Sequence, residues 1–199
     1  HDIRTPMNAI LGYSELMKNE LKDNDLPKVV EHLNKLQKAG NILLSIINNV
    51  LDMARIESGH MELEENYANI EDIRQRLFEM FEDEAKKKNI HLRYTFNVEH
   101  KHVMTDVTKV EEIFVNILSN ALKYTLSNGS VEVSVDELSC DEPGYMIVRT
   151  SIADTGIGMS QEYLEKIFES FSRERMTSSK ISGTGLGMAI VKKYVDLLG

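Results

Sequence analysis

Residues 116–125 read NILSNALKYT, the end of a longer run, DVTKVEEIFVNILSNALKYT, over 106–125. The apolar residues Ile113, Ile117 and Leu118 recur at helical spacing, which predicts an amphipathic helix. Asn116 and Asn120 are four apart, and Lys123 and Tyr124 follow one turn later, so all four can share the opposite face. Two carboxamide oxygens suit a Mg²⁺ ion that keeps its waters and takes phosphate oxygens from a nucleotide. A lysine beside them could neutralise phosphate. The same residues would equally form the polar face of a surface helix.

Working outward from this helix, the period alternates between helical and extended. NIEDIRQRLFEMFEDEAKKKN (69–89) reads as a helix, and HLRYTFNV (91–98) alternates with period two as a strand. SVEVSVDEL (130–138) and YMIVRTSIAD (145–154) read as two more strands. QEYLEKIFESF (161–171) reads as a short helix and LGMAIVKKYVDLL (186–198) as another. Strands mixed with helices imply an α/β layer with helices on one face of a sheet.

The first sixty residues differ. Ile3, Met7, Ile10, Ser14, Met17 and Leu21 fall at alternating spacings of four and three, the pattern of a packed helical seam. NDLP (24–27) interrupts it, with Pro27 suited to the first turn of a second helix. There Leu33, Leu36, Gly40, Leu43, Ile47, Val50 and Ala54 repeat the spacing, and Gly59 ends it. Val30, Leu44 and Leu51 form a second apolar stripe, which predicts a dimer closing a four-helix bundle. The fold class expected is therefore α+β: an antiparallel helical hairpin over 1–59, a linker over 60–67 and an α/β sandwich over 68–199.

Composition narrows the function. The net charge is −9, which argues against a broad nucleic-acid or anionic-membrane surface. No apolar run of eighteen residues and no signal peptide is present, so the fragment reads as soluble. Cys140 stands alone in a polar stretch and reads as a bland loop thiol, compatible with a reducing compartment.

Three further stretches carry chemistry. His1, Thr5, Asn8 and Gly12 share an exposed helix face offset from the seam, and neutral imidazole is a nucleophile near neutral pH. Pro6 removes an N–H that would bond the carbonyl of Asp2. Either Pro6 lies in the first turn of a helix starting near His1, or it kinks a longer helix beside the histidine. ADTGIGM (153–159) sets Asp154 at a strand end before Gly156 and Gly158, where a flat ligand can approach closely. GTGLGMAIV (183–191) runs a turn holding Gly183, Thr184, Gly185, Leu186 and Gly187 directly into a helix, which offers bare N–H groups to phosphate. Between them FESFSRERMTSSKIS (168–182), with Arg173 and Arg175, suits a lid over a nucleotide or a plain surface loop.

In this order the stretches resemble the catalytic core of two-component sensor histidine kinases, with features similar to the hybrid subgroup. HDIRTPMNAI is similar to the phosphoacceptor box, NILSNALKYT to the N box, DTGIGM to the G1 box, FESFSRE to the F box and GTGLGMAI to the G2 box. The family implies a cytoplasmic core that autophosphorylates His1 from ATP and Mg²⁺, then passes the phosphoryl group to an aspartate of a response-regulator receiver domain. Asp2 would assist proton removal and Thr5 would serve dephosphorylation of the regulator. Asn120 would hold Mg²⁺, with Asn116 beside it. Lys123, Tyr124 and Arg173 would line the nucleotide and Asp154 would read the adenine amino group. Gly156 and Gly158 would shape that turn, and Gly183–Gly187 would hold phosphate. The family also implies sensory and often transmembrane segments ahead of His1 and a closing strand hairpin after Gly199. One departure is Ser182, where the G2 box often has a first glycine.

Two rival functions share these features. Gyrase-type and chaperone ATPases use the same nucleotide fold with a glutamate at the position held here by Asn116; without it no base stands there to activate water. A dimeric scaffold that receives a regulator domain is the other.

Overall fold

The structure is a computed structural model, described for residues 2–172 and 184–199. His1, Arg173 and Gly183 lie outside the described residues. The chain divides into two compact units, His1–Met61 and Glu62–Gly199.

The first unit is a hairpin of α1 (Arg4–Lys22) and α2 (Leu26–Glu57). The turn between them is built by Asn24 at φ 57° and by Asp25, whose side chain caps α2 by accepting from Lys28 N–H at 3.3 Å. Pro27 stands in the first turn of α2, where its missing N–H has no intrahelical partner to lose. Past the other end, Gly59 is left-handed at φ 68°. Asp2 and Ile3 form a turn ahead of α1, and Pro6 stands in the first turn of that helix. It is the fully buried residue of that helix.

The packed seam is rotated from the one that apolar spacing marks. Ala39 and Ile46 are buried and Leu36 and Leu43 half-buried on α2, whereas Leu33, Ile47 and Val50 are exposed. Ile3, just ahead of α1, and Met7 and Leu21 on it are exposed too. A polar group takes part in the interior: His32 Nδ1 lies 2.8 Å from Glu20 Oε2, and the His32 ring stacks on Tyr13 at 5.6 Å. Apolar periodicity does not register such residues, so the seam reads one position off.

In the second unit β1 (Asn66–Asn69) leads into α3 (Ile70–Lys87) and β2 (His91–Asn97). β3 (His102–Thr105), α4 (Val107–Tyr124) and β4 (Ser130–Leu138) follow. The chain then forms β5 (Ile147–Asp154), α5 (Gln161–Leu164) and α6 (Gly187–Leu198). The main sheet runs β2-β4-β5, with β4 parallel to β2 and antiparallel to β5. Its central strand buries Val131, Val133 and Val135 on one face. Against them pack Ile73, Leu77, Phe81 and Ala85 of α3, one stripe at spacing four, and Leu118, Ala121 and Leu122 of α4. Burying each large aliphatic side chain contributes roughly 1.5–3 kcal/mol.

A separate two-stranded sheet pairs β1 with β3, and the motif reading did not include it. Residues 66–67, expected in a linker, belong to β1. The expected helix over 161–171 is shorter, Gln161–Leu164, with turns after it. Asp106 joins the pieces. It is 3% exposed; Oδ1 caps α4 by accepting from Lys109 N–H at 3.0 Å, and Oδ2 accepts from Glu64 N–H at 3.0 Å.

Candidate nucleotide-binding site

α4 places Asn116, Asn120 and Tyr124 on one side at spacing four. Two glycine segments meet this side, one at each end. At the C-terminal end the turn after β5 is pinned to the last residue of the helix: Ile157 N–H donates to the Tyr124 carbonyl at 3.3 Å. Gly156 lies so close that a Cβ there would be 2.7 Å from that carbonyl oxygen and 2.5 Å from Asp154 Oδ1. The Gly156 N–H donates to Asp154 Oδ1 at 2.8 Å, which fixes the exposed carboxylate and, among the described residues, leaves Oδ2 open. Thr155 secures the turn from below, its Oγ1 accepting from Ser130 N–H at 2.8 Å. Ile157 and Met159 expose apolar surface beside Asp154, and Gly158 adopts φ 69°.

At the other end α6 begins against Asn116. Leu186, just before it, is 1% exposed, so its side chain belongs to the core and its backbone alone is available to a ligand. Thr184 Oγ1 accepts from Leu186 N–H at 3.3 Å. Gly185, at φ 70°, accepts through its carbonyl from Phe171 N–H at 2.9 Å and has no room for a side chain, since a Cβ would lie 2.6 Å from the Ser172 carbonyl oxygen. α6 is held to α4 a second time by Tyr194, buried at 1% exposure, whose hydroxyl accepts from Lys109 Nζ at 3.2 Å.

Between the two ends stands Asn120. It is half-buried, and among the described residues its carboxamide has no hydrogen-bond partner. With a rise of 1.5 Å per residue, the two glycine contacts are about 12 Å apart along α4, with Asn120 midway. Asn116 is turned differently: Nδ2 donates to the Glu112 carbonyl at 2.8 Å. Lys123 Nζ lies 5.0 Å from the centroid of the Tyr124 ring. Thr5 is exposed and Asp2 half-buried in the first unit. Sequence reasoning passed over Thr155, Lys109, Tyr194 and the exposed Ile157 and Met159. Thr155 was within reach, since it stands inside the Asp-Thr-Gly motif; the Lys109–Tyr194 tie had no sequence signal.

No described group of three or more His, Cys, Asp or Glu side chains is arranged to hold a metal ion. The Asn120 carboxamide, unpartnered among the described residues, could offer one oxygen to a Mg²⁺ that keeps water and nucleotide ligands. Among the described residues no helix is long and apolar enough to cross a membrane.

Comparison with known proteins agrees with this layout. Residues 1–59 match the His Kinase A (phospho-acceptor) domain, and residues 105–199 match the histidine kinase-, DNA gyrase B- and HSP90-like ATPase family. The autoinducer 2 sensor kinase/phosphatase LuxQ of Vibrio vulnificus is 31% identical over 204 residues, covering 100% of this chain and 23% of that protein. Full-length ShkA in complex with AMPPNP superposes at a TM-score of 0.70 with 27% identity, covering 99% of this chain and 39% of that one. Histidine kinase ThkA in complex with the response regulator protein TrrA superposes at 0.58 with 26% identity, covering 89% and 48%. The chain thus belongs to the histidine kinases, as their catalytic core. It spans less than a quarter of the length of the curated relatives it matches.

Proposed function

We propose that this chain binds Mg-ATP, transfers the γ-phosphoryl group to His1, and passes it to an aspartate of a response-regulator receiver domain. The observation that carries the reading is the placement of one unpartnered asparagine, Asn120, midway between two glycine contacts on the same helix side. An extended nucleoside triphosphate fits that span. Its base would lie at Asp154 against Ile157 and Met159, and its phosphates at the backbone of Thr184–Gly187 and at Lys123. Asp154 Oδ2 accepts from the adenine amino group; guanine offers a carbonyl there. Asn120 would hold the Mg²⁺, which supplies charge neutralisation at the phosphates when bound. Arg173 and Gly183 complete the proposed set from outside the described residues. An imidazole nitrogen of His1 bonds to the γ-phosphorus as the bond to the ADP oxygen breaks, and the ring proton leaves towards Asp2. Catalysis of this kind is positioning and charge stabilisation.

The exposed apolar residues of the hairpin, Val30, Leu33, Ile47, Val50 and Leu51 among them, support a homodimer through residues 1–58. The ThkA complex supports a receiver domain as partner, and the name of LuxQ, a sensor kinase/phosphatase, supports a phosphatase activity towards it, in which Thr5 would serve. The core would work in the cytoplasm, whatever anchors the whole protein. The deciding experiment is incubation with γ-labelled ATP and Mg²⁺. Label on His1 is lost in acid, kept in base and absent from His1→Gln. Acid-stable label, or label that survives that substitution, contradicts the proposal. Asn120→Ala should abolish Mg²⁺-dependent binding with circular dichroism unchanged.

A further inference from the structure

Gly187 is the first residue of α6 and its backbone is ordinary helix rather than left-handed. Alanine there would normally stabilise a helix. The reason for glycine is spatial. The three atoms nearest a Cβ on Gly187 all belong to one side chain: Asn116 Oδ1 at 2.7 Å, Cγ at 3.5 Å and Cβ at 3.9 Å. The carboxamide cannot turn aside cheaply, because Nδ2 donates to the Glu112 carbonyl one turn back. That bond also sets the oxygen towards α6. Among the described residues no side chain caps α6 through its N-cap Leu186, and Asn116 Oδ1 is the atom nearest the place a Gly187 side chain would take.

We infer that Asn116 is a positioning residue, not a metal or phosphate ligand: it sets the distance between α4 and the first turn of α6, and thereby where the Thr184–Gly187 backbone stands relative to Asn120. The inference rests on the nucleotide-site reading above. It assigns the two asparagines of NILSNALKYT different work. Asn120 faces the ligand, whereas Asn116 spends its amide on its own helix and sets its oxygen where a side chain on Gly187 would stand. It also explains Gly187 by Asn116 rather than by close approach of phosphate.

The test is a double-mutant cycle in the 199-residue chain, read by affinity for AMPPNP with Mg²⁺ and by thermal unfolding. Gly187→Ala should weaken AMPPNP at least tenfold. Asn116→Ala removes the obstructing Oδ1 together with Cγ and leaves the Asn116 Cβ at an ordinary contact distance of 3.9 Å, so the double variant should bind at least fivefold better than Gly187→Ala alone. A purely structural contact would move the unfolding temperature without the affinity. A ligand role for Asn116 would leave the double variant no better than either single change. Either result overturns the inference, as does wild-type affinity in Gly187→Ala. Should Gly187→Ala fail to fold, refolding on addition of Asn116→Ala supports the inference and continued unfolding refutes it. Absence of AMPPNP binding by the wild-type chain defeats the nucleotide reading instead, and rescue of the unfolding temperature still reports on the contact.

Discussion

Gly156→Ala probes the other end of the cleft. The added Cβ would lie 2.5 Å from Asp154 Oδ1, 2.7 Å from the Tyr124 carbonyl oxygen and 3.0 Å from its carbon. Tyr124 closes a helix whose Leu118, Ala121 and Leu122 are buried in the core, so the helix holds and the turn yields. The displaced turn loses its hold on Asp154, through Gly156 N–H at 2.8 Å, and on α4, through Ile157 N–H at 3.3 Å. Each such hydrogen bond contributes about 0.5–1.5 kcal/mol, so losing both weakens the bound arrangement by about 1–3 kcal/mol. That converts to roughly 5- to 150-fold in affinity. The assay is calorimetric titration with AMPPNP, with far-UV circular dichroism to confirm the fold. Gly158→Ala is the control. A Cβ there meets nothing within 4 Å, and the cost of about 1–2 kcal/mol comes from the left-handed backbone at φ 69°. Gly158→Ala should therefore lower stability more than affinity. AMPPNP affinity within twofold of wild type in a folded Gly156→Ala chain would refute the account of how Asp154 is aimed.

Tyr94 packs edge-on against Phe78 with its hydroxyl buried and unpartnered among the described residues, and burial pushes the phenol up to about 12. Tyr94→Phe should raise stability by about 1 kcal/mol in urea unfolding, and a loss would show the hydroxyl to be satisfied. Glu137 holds His100 above its ordinary 6.5, first through their hydrogen bond, while the backbone N–H of His100 leads in holding Glu137 below 4.5. The histidine contribution is present below pH 6.5 and lost as pH rises through the elevated value; the glutamate contribution is present above pH 4.5 and lost as pH falls through the depressed one. The turn is thus firmest between those values, and NMR titration should find His100 above 6.5 in the wild type and back near it in Glu137→Gln. Ile47→Asp, on the exposed side of α2, should give monomers with helicity retained in light scattering and circular dichroism; a dimer at wild-type concentration would remove this face from the interface.

Local amphipathicity was enough to locate α3, α4, β2 and β4, because each carries its period within its own residues. β4 alternates Val131, Val133 and Val135 inward, and α3 repeats Ile73, Leu77, Phe81 and Ala85. The candidate site residues could be named for a different reason: they cluster in short motifs, and of these Gly185 does adopt the positive φ that its turn requires. Tertiary structure alone decided what those motifs touch. β1 and β3 are four residues each and pair across a long separation, so neither strand has enough pattern to announce itself. The hairpin seam is rotated because His32, Glu20 and Tyr13 occupy interior positions that hydropathy scores as surface. Asn116 and Asn120 have the same chemistry and occur in one motif; packing sets them apart, since only a fold can bring residue 187 to residue 116. Sequence specifies which groups are available and on which face of an element they lie. The distances between elements, and hence which oxygen remains free for a ligand, arise when the core closes and the side chains compete for the space between α4 and α6.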